Sequence, residues 1–228
     1  MRSWCLPEAS ARFVAQMEDV LSVYQLPYDP KRPQVCLDEI HKNLRGTPKG
    51  ELPMEKGKPR REDYEYERNG KCALFLAVEP LAGFRQVWVH SHRAKVDMAE
   101  VLKDLVDVHY PEAEKIVLVT DNLNVHHPAC LYERYTPAEA RRITEKLEWH
   151  YTPVHASWLN IAECELSVLR RQCLRSRMPD IEIVSKKVAA WAKARNSKQV
   201  GIDWRFTTED ARIKLKRLYP VVNVQEST

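Results

Sequence analysis

The sequence predicts an α/β fold in which a mixed five-stranded sheet carries helices on both faces. Three observations lead there. Two β-like runs, Cys72 to Val78 and Phe84 to Val89, are joined by the turn residues Pro80 to Gly83, so the first strands form an antiparallel meander. Lys115-Ile116-Val117-Leu118-Val119-Thr120 is a short, continuous apolar run, the pattern of a central strand buried on both faces. Helical and strand patterns alternate around it, which implies strands covered by packed helices.

In chain order, residues 8–25 place Phe13, Met17, Val20, Leu21 and Tyr24 at helical spacing, and prolines 27, 30 and 33 stop that helix. Val35-Cys36-Leu37 is the first strand and runs straight into Asp38-Glu39. Residues 45–62 hold three prolines, three glycines and many charges without periodicity, and read as a loop. After the meander, a helix near 95–109 aligns Met98, Val101, Leu102, Leu105 and Val106. Thr136-Pro137-Ala138-Glu139 combines a capping threonine, a first-turn proline and a glutamate three residues on, and opens a helix carrying Ala140, Ile143 and Leu147. Leu147 to Thr152 alternates as the fifth strand. Helices follow at about 158–176 and 181–195, and the last runs from the capping pattern Thr207-Thr208-Glu209-Asp210 to Tyr219. Trp88, Trp149, Trp191 and Trp158 are all assigned to core packing, with base stacking as the other use for Trp158.

The 228 residues, 44% apolar and 30% charged, suit one large folded unit and argue against disorder. No apolar run approaches the ~18 residues of a membrane span. The first residues lack an apolar signal core, and the six cysteines are scattered without close pairs. Both point to a cytoplasmic protein with reduced thiols. Net charge is +4, but it is unevenly spread. From His41 to Glu62 seven Lys/Arg face three acids, and from Trp191 to Pro220 eight face three, which fits a polyanionic partner. Phosphate-loop, dinucleotide-loop and hydrolase-elbow motifs are missing.

Two carboxylates, Asp38 and Asp121, stand at strand ends, where open α/β sheets gather their sites. A third, Glu163, lies in the first turns of a helix whose core stripe is Leu159, Ala162, Leu166, Leu169 and Cys173. Asn160, Glu163, Ser167, Arg170 and Arg171 form the adjacent polar stripe. Three converging carboxylates would repel one another, and a divalent cation with oxygen ligands, Mg²⁺ or Mn²⁺, would relieve the repulsion. Two such ions about 4 Å apart would serve phosphodiester chemistry. Taken singly, each acid also fits a surface or capping role, and Asp121-Asn122 fits a plain turn.

The segments Val35-Cys36-Leu37-Asp38-Glu39, Val119-Thr120-Asp121-Asn122-Leu123-Asn124-Val125-His126 and His155-Ala156-Ser157-Trp158-Leu159-Asn160-Ile161-Ala162-Glu163 resemble bacterial insertion-sequence transposases of the branch related to the mariner superfamily. The resemblance extends to Asp63-Tyr64-Glu65-Tyr66 and Trp204-Arg205-Phe206-Thr207-Thr208 and covers nearly the whole chain. It implies an RNase H-like fold, with residues 1–33 an N-terminal helical segment and 34–228 a DDE catalytic domain. Asp38, Asp121 and Glu163 match the catalytic, metal-binding acids; two Mg²⁺ ions, with Mn²⁺ as substitute, are the implied cofactors. Asn122, His126 and Asn160 match supporting positions. Glu165 is a decoy, about 200° around the helix from Glu163. Arg60, Arg61, Arg170, Arg171, Arg212, Lys216 and Arg217 are the expected DNA-backbone contacts.

The implied activity is metal-dependent cleavage of double-stranded DNA at element ends, then strand transfer into target DNA, beside the bacterial nucleoid. The family's helix-turn-helix module finds no room in the 37 residues before Asp38, so the sequence reads as a catalytic domain alone, from a truncated copy, a split frame or an expressed fragment. A homodimer and a separate helix-turn-helix partner chain are the further expected partners, and no membrane is. The rival readings are another RNase H-like nuclease and a non-catalytic DNA-binding remnant.

Overall fold

The computed structural model describes residues 10–221, apart from 49, 53, 60, 63 and 124 and the side chains of 51, 52, 61 and 62. The strands are β1 (Gln34–Gly46), β2 (Glu51–Leu52), β3 (Arg61–Glu62), β4 (Glu67–Glu79), β5 (Phe84–His90), β6 (Ile116–Thr120) and β7 (Leu147–Tyr151). Five of them form one sheet in the order β5-β4-β1-β6-β7. β1, β4 and β5 pair antiparallel, and β6 and β7 add to β1 in parallel, as the sequence predicts. The expected loop at 45–62 is partly ordered instead: β1 continues to Gly46, and β2 and β3 form a short pair of their own.

Strand alternation divides the core in two. On β4, Cys72, Leu74, Leu76 and Val78 face one side, while Ala73, Phe75 and Ala77 face the other. The first side is covered by α1 (Ala11–Val23), α5 (Ile161–Gln172), α6 (Ile181–Asn196) and α7 (Thr208–Lys214). The second is covered by α2 (Lys95–Asp104), α3 (Ala129–Arg134) and α4 (Pro137–Lys146). β6 lies between the two layers and every residue of it is buried, which explains its unbroken apolar run. No helix among the described residues is long and apolar enough to cross a membrane.

The helix boundaries differ from the sequence reading wherever a cap intervenes. α1 starts after Ser10, whose hydroxyl accepts from Phe13 N at 3.4 Å; residues 8 and 9 of the expected helix lie outside the described residues. The helix at 95–109 finishes as a π-helical turn over Leu105–His109. α5 opens at Ile161 rather than 158, because Asn160 caps it and Ser157–Leu159 form a 3-10 turn. The final helix stops at Lys214, followed by a 3-10 turn at Lys216–Leu218. Leu147 belongs to β7, not to the helix before it. α3 was not expected: it is one and a half turns long, and only Cys130 and Leu131 are buried, too few to show a period.

Candidate active site

The parallel register Cys36↔Val119 is the last pair between β1 and β6. Carried on by two residues, it brings Asp38 alongside Asp121, just past the end of β6. Asp38 shares a strand face with Cys36 and Ile40, the face on which α5 packs. Ala162, Leu166 and Leu169 of α5 are buried in that core layer, so half-buried Glu163, in the first turn of α5, stands on the same side of the sheet as Asp38.

Asn160 fixes the start of α5 to the sheet. Its Oδ1 accepts from Ala162 N at 3.1 Å, which caps the helix. Its Nδ2 donates to Leu37 O at 3.1 Å and to Asp38 Oδ2 at 3.3 Å. Tyr24, the C-cap residue of α1, supports the same turn: its hydroxyl donates to Leu159 O at 2.6 Å and accepts from Ile161 N at 3.3 Å. The sequence placed Asn160 on the polar stripe beside the core, yet it is fully buried, because a cap turned onto a strand leaves the helix surface. Asn160→Ala should therefore lower stability by about 2 kcal/mol, from the lost cap and the newly unsatisfied buried groups. Urea denaturation would register this as a lower midpoint with an unchanged slope.

The acids act on one another. Burial, the neighbouring Glu39 charge, and the Asp121 and Glu163 charges push the Asp38 carboxyl up to about 7, against a 2.7 Å hydrogen bond from Glu39 N that favours its charged form. On the other side of Asp121 sits His126. Burial alone would hold its pKa down, but hydrogen bonds to Asp121 and Glu39 and their charges lift it to about 10, so the ring is a buried imidazolium. It donates from Nδ1 to Asp121 Oδ1 and from Nε2 to Glu39 Oε2, the latter at 2.6 Å. Arg93 Nη1 donates to the other Glu39 oxygen at 3.0 Å. Glu39 is thus part of the site, although the sequence reading gave it no role. Its signal is a second acid inside a strand buried on both faces, where an unpaired charge would be prohibitive.

These residues fit a hard divalent cation by chemistry. The candidate ligands offer carboxylate oxygens only, and their mutual repulsion leaves a negative charge that a cation would satisfy. They are not a closed cage as they stand. Asp121 also accepts from Leu123 N at 3.2 Å, closing the turn that the sequence allowed as its plain role. Among the described residues, no three side chains of ligating type are drawn together around one point.

The other candidates scatter. Asn122 is exposed and lines a cavity of about 370 Å³ with Lys95, His126, His127 and Tyr151. Arg170, Arg171, Lys216 and Arg217 are exposed. Arg212 is engaged by Glu18 through two hydrogen bonds of 2.9 and 2.8 Å. Arg60 and the side chain of Arg61 lie outside the described residues, as do Asp63 and Asn124. Trp88, Trp149 and Trp191 are half-buried against the cores. Trp158 is not core: it is 45% exposed, its ring edge-on to Phe206 at 6.0 Å, because the 3-10 turn before α5 lies at the surface. Glu165 turns the opposite way from Glu163 and is buried against Arg85 and Arg195.

Comparison with known proteins gives a consistent result. The family model described as DDE superfamily endonuclease matches residues 33–185, which include Asp38, Asp121 and Glu163. No curated protein matches by sequence. Among solved structures, the Mos1 transposase paired-end complex with left transposon end is similar with a TM-score of 0.54 at 17% identity, covering 96% of this chain and 65% of that one. A pre-cleavage Mos1 transpososome gives 0.54 at 14% identity, covering 98% and 68%. The Mos1 strand transfer complex gives 0.52 at 13%, covering 98% and 67%. The chain thus spans about two thirds of the length of these structures, and at such identities the likeness is one of fold, an RNase H-like sheet with its flanking helices. With the matched segment running from the first strand through α5 into α6, the chain belongs to the DDE superfamily of endonucleases, a family that works with divalent metal ions.

Proposed function

We propose that this chain is the catalytic domain of a transposase of the insertion-sequence, mariner-related type. It cleaves DNA phosphodiesters at element ends and joins the freed 3′-hydroxyl to target DNA. The observation that carries the reading is the placement of Asp38 and Asp121 on neighbouring interior strands with Glu163 on the helix packed over them, near enough that the Asp121 and Glu163 charges add to burial and Glu39 in raising Asp38 to about 7, inside a segment that matches an endonuclease family.

In this reading Asp38, Asp121 and Glu163 hold two Mg²⁺ ions, with Mn²⁺ as substitute. When bound, the ions would activate water or a 3′-hydroxyl and stabilise the leaving oxygen. The protein's own contribution is position. Asn160 orients Asp38 and the start of the Glu163 helix through one side chain. His126 holds Asp121, and Glu39 and Arg93 hold His126. Asn122 at the lip is suited to bonding a phosphate oxygen. Arg170, Arg171, Lys216, Arg217, Arg60 and Arg61 serve the DNA backbone, positioning it without reading sequence. The working assembly is a homodimer on duplex DNA in a bacterial cytoplasm, with end recognition supplied by a helix-turn-helix element.

The test is incubation of supercoiled plasmid and end-labelled duplex with the protein and Mn²⁺. Nicks bearing 3′-hydroxyls, and joined products at longer times, are expected. A protein that binds DNA but never nicks it would be the non-catalytic remnant instead.

A further inference from the structure

Beyond its last pairing with β6 at Cys36, β1 continues to Gly46 beside the first half of β4, and β5 pairs with β4 only from Ala73 onward. Residues 43–46 and 67–71 therefore form a two-stranded arm leading away from Asp38, about 23 Å from Asp38 to Arg45 at strand rise. A bulge shapes this arm. Asn43 pairs with Lys71 and Arg45 with Arg68, so β4 uses three steps where β1 uses two. Gly70 takes the extra step at φ +94°, a conformation other residues resist. Without it, Arg68 and Lys71, three apart, would point to opposite faces. With it, both line one open groove of about 480 Å³ together with Asn43, Leu44, Arg45 and Tyr66.

The chemistry of the groove is cationic. Arg45, Arg68 and Lys71 are exposed, and none of them forms an ion pair with a carboxylate among the described residues. That sets them apart from Lys31, Arg134, Arg141 and the sequence-predicted contact Arg212, each held by a glutamate. The Tyr66 ring sits among them: Arg45 stands 4.5 Å from its centroid and Arg177 5.6 Å, and the nearby Arg68 charge holds its hydroxyl below the usual tyrosine range. Burial and then the charges of Arg93 and Lys71 hold the His41 ring below the usual histidine range, and Arg93 is itself bonded to Glu39 of the acidic site.

We propose that the Arg45–Arg68–Lys71 groove, with Tyr66 at its floor, binds the phosphate backbone of the duplex flank beyond the scissile phosphate. This rests on the DNA-cleaving reading given above and adds Arg68, Lys71 and Tyr66, beside Arg45 of the basic 41–62 stretch, to the DNA-holding residues that the sequence reading named. Three unneutralised cations on one strand pair suit a regular polyanion, and the pair leads outward from Asp38 along β1, a path for the duplex out of the site.

The test is fluorescence anisotropy of labelled random 40-base-pair duplex, without metal, across a salt series. The variant Arg45→Gln/Arg68→Gln/Lys71→Gln is compared with Lys31→Gln/Arg134→Gln/Arg141→Gln, which removes the same charge from paired sites. The groove variant should flatten the log K against log salt slope by about 2.7, at 0.9 per lost phosphate contact. The control should leave the slope near that of the wild type, and both variants should melt as the wild type does. A groove variant with wild-type slope and affinity overturns the groove alone. Equal effects from both variants overturn it too, since net charge would then suffice. A wild type that binds no duplex at any salt overturns both the groove and the transposase reading.

Discussion

Glu163→Gln is expected to reduce Mn²⁺-dependent nicking by about 10³-fold while the fold survives. The substitution keeps the volume and removes one anionic ligand. Charge stabilisation by bound metal is worth several kcal/mol in the transition state, and each ~1.4 kcal/mol is tenfold in rate. Stability should hold or rise slightly, because Glu163 is one of the charges that make ionised Asp38 costly in the metal-free protein. Nicking of supercoiled DNA and the apo melting temperature are measured on the same preparation. Wild-type nicking by Glu163→Gln would remove Glu163 from the catalytic set.

Glu165→Gln should do the reverse, with the largest stability loss of any single acid considered. Glu165 is 1% exposed, and its Oε1 lies 2.9 Å from Arg85 Nε and 2.7 Å from Arg195 Nε. Arg85 is fully buried; its remaining nitrogens donate to Gly83 O at 2.9 Å and Val200 O at 2.6 Å. Removing the carboxylate leaves the buried Arg85 and half-buried Arg195 guanidinium groups close together without that counter-charge. Breaking a buried pair from one side costs ~3–5 kcal/mol. For a chain of this size that is about 10 °C in melting temperature. Nicking below the transition should remain close to wild type. A melting temperature within a degree or two of wild type would show that α5, α6 and β5 are held together by apolar packing alone.

The two acids also show what the sequence made legible. Their two-residue spacing on a helix separates their directions, and that geometry needs no structure to read. The split core was equally legible, since the continuous run of β6 and the alternation of β4 each state how many faces are covered. What stayed hidden was set by partners distant in sequence. Glu39 gains its place from His126, 87 residues on. Asn160 is buried because it bonds Leu37 and Asp38 across the sheet. Arg85 is buried because Glu165, 80 residues on, and Val200 O, 115 residues on, meet it. The arm groove depends on a bulge at Gly70, and a lone glycine in a polar segment reads first as loop. Trp158 misled for the opposite reason: a large apolar residue predicts burial on average, and this one lies on a surface turn.

The most direct measurement is a crystal structure grown with Mn²⁺, with the ions located by their anomalous scattering. The account predicts manganese held by Asp38 and Asp121, with Asp121 still bonded to His126 and Glu163 turned in to complete the set. Metal–oxygen distances should be close to the about 2.1 Å typical of Mg²⁺. Manganese bound with Glu163 left outside the coordination sphere, or bound elsewhere on the chain while Asp38 and Asp121 keep their present partners, would contradict it.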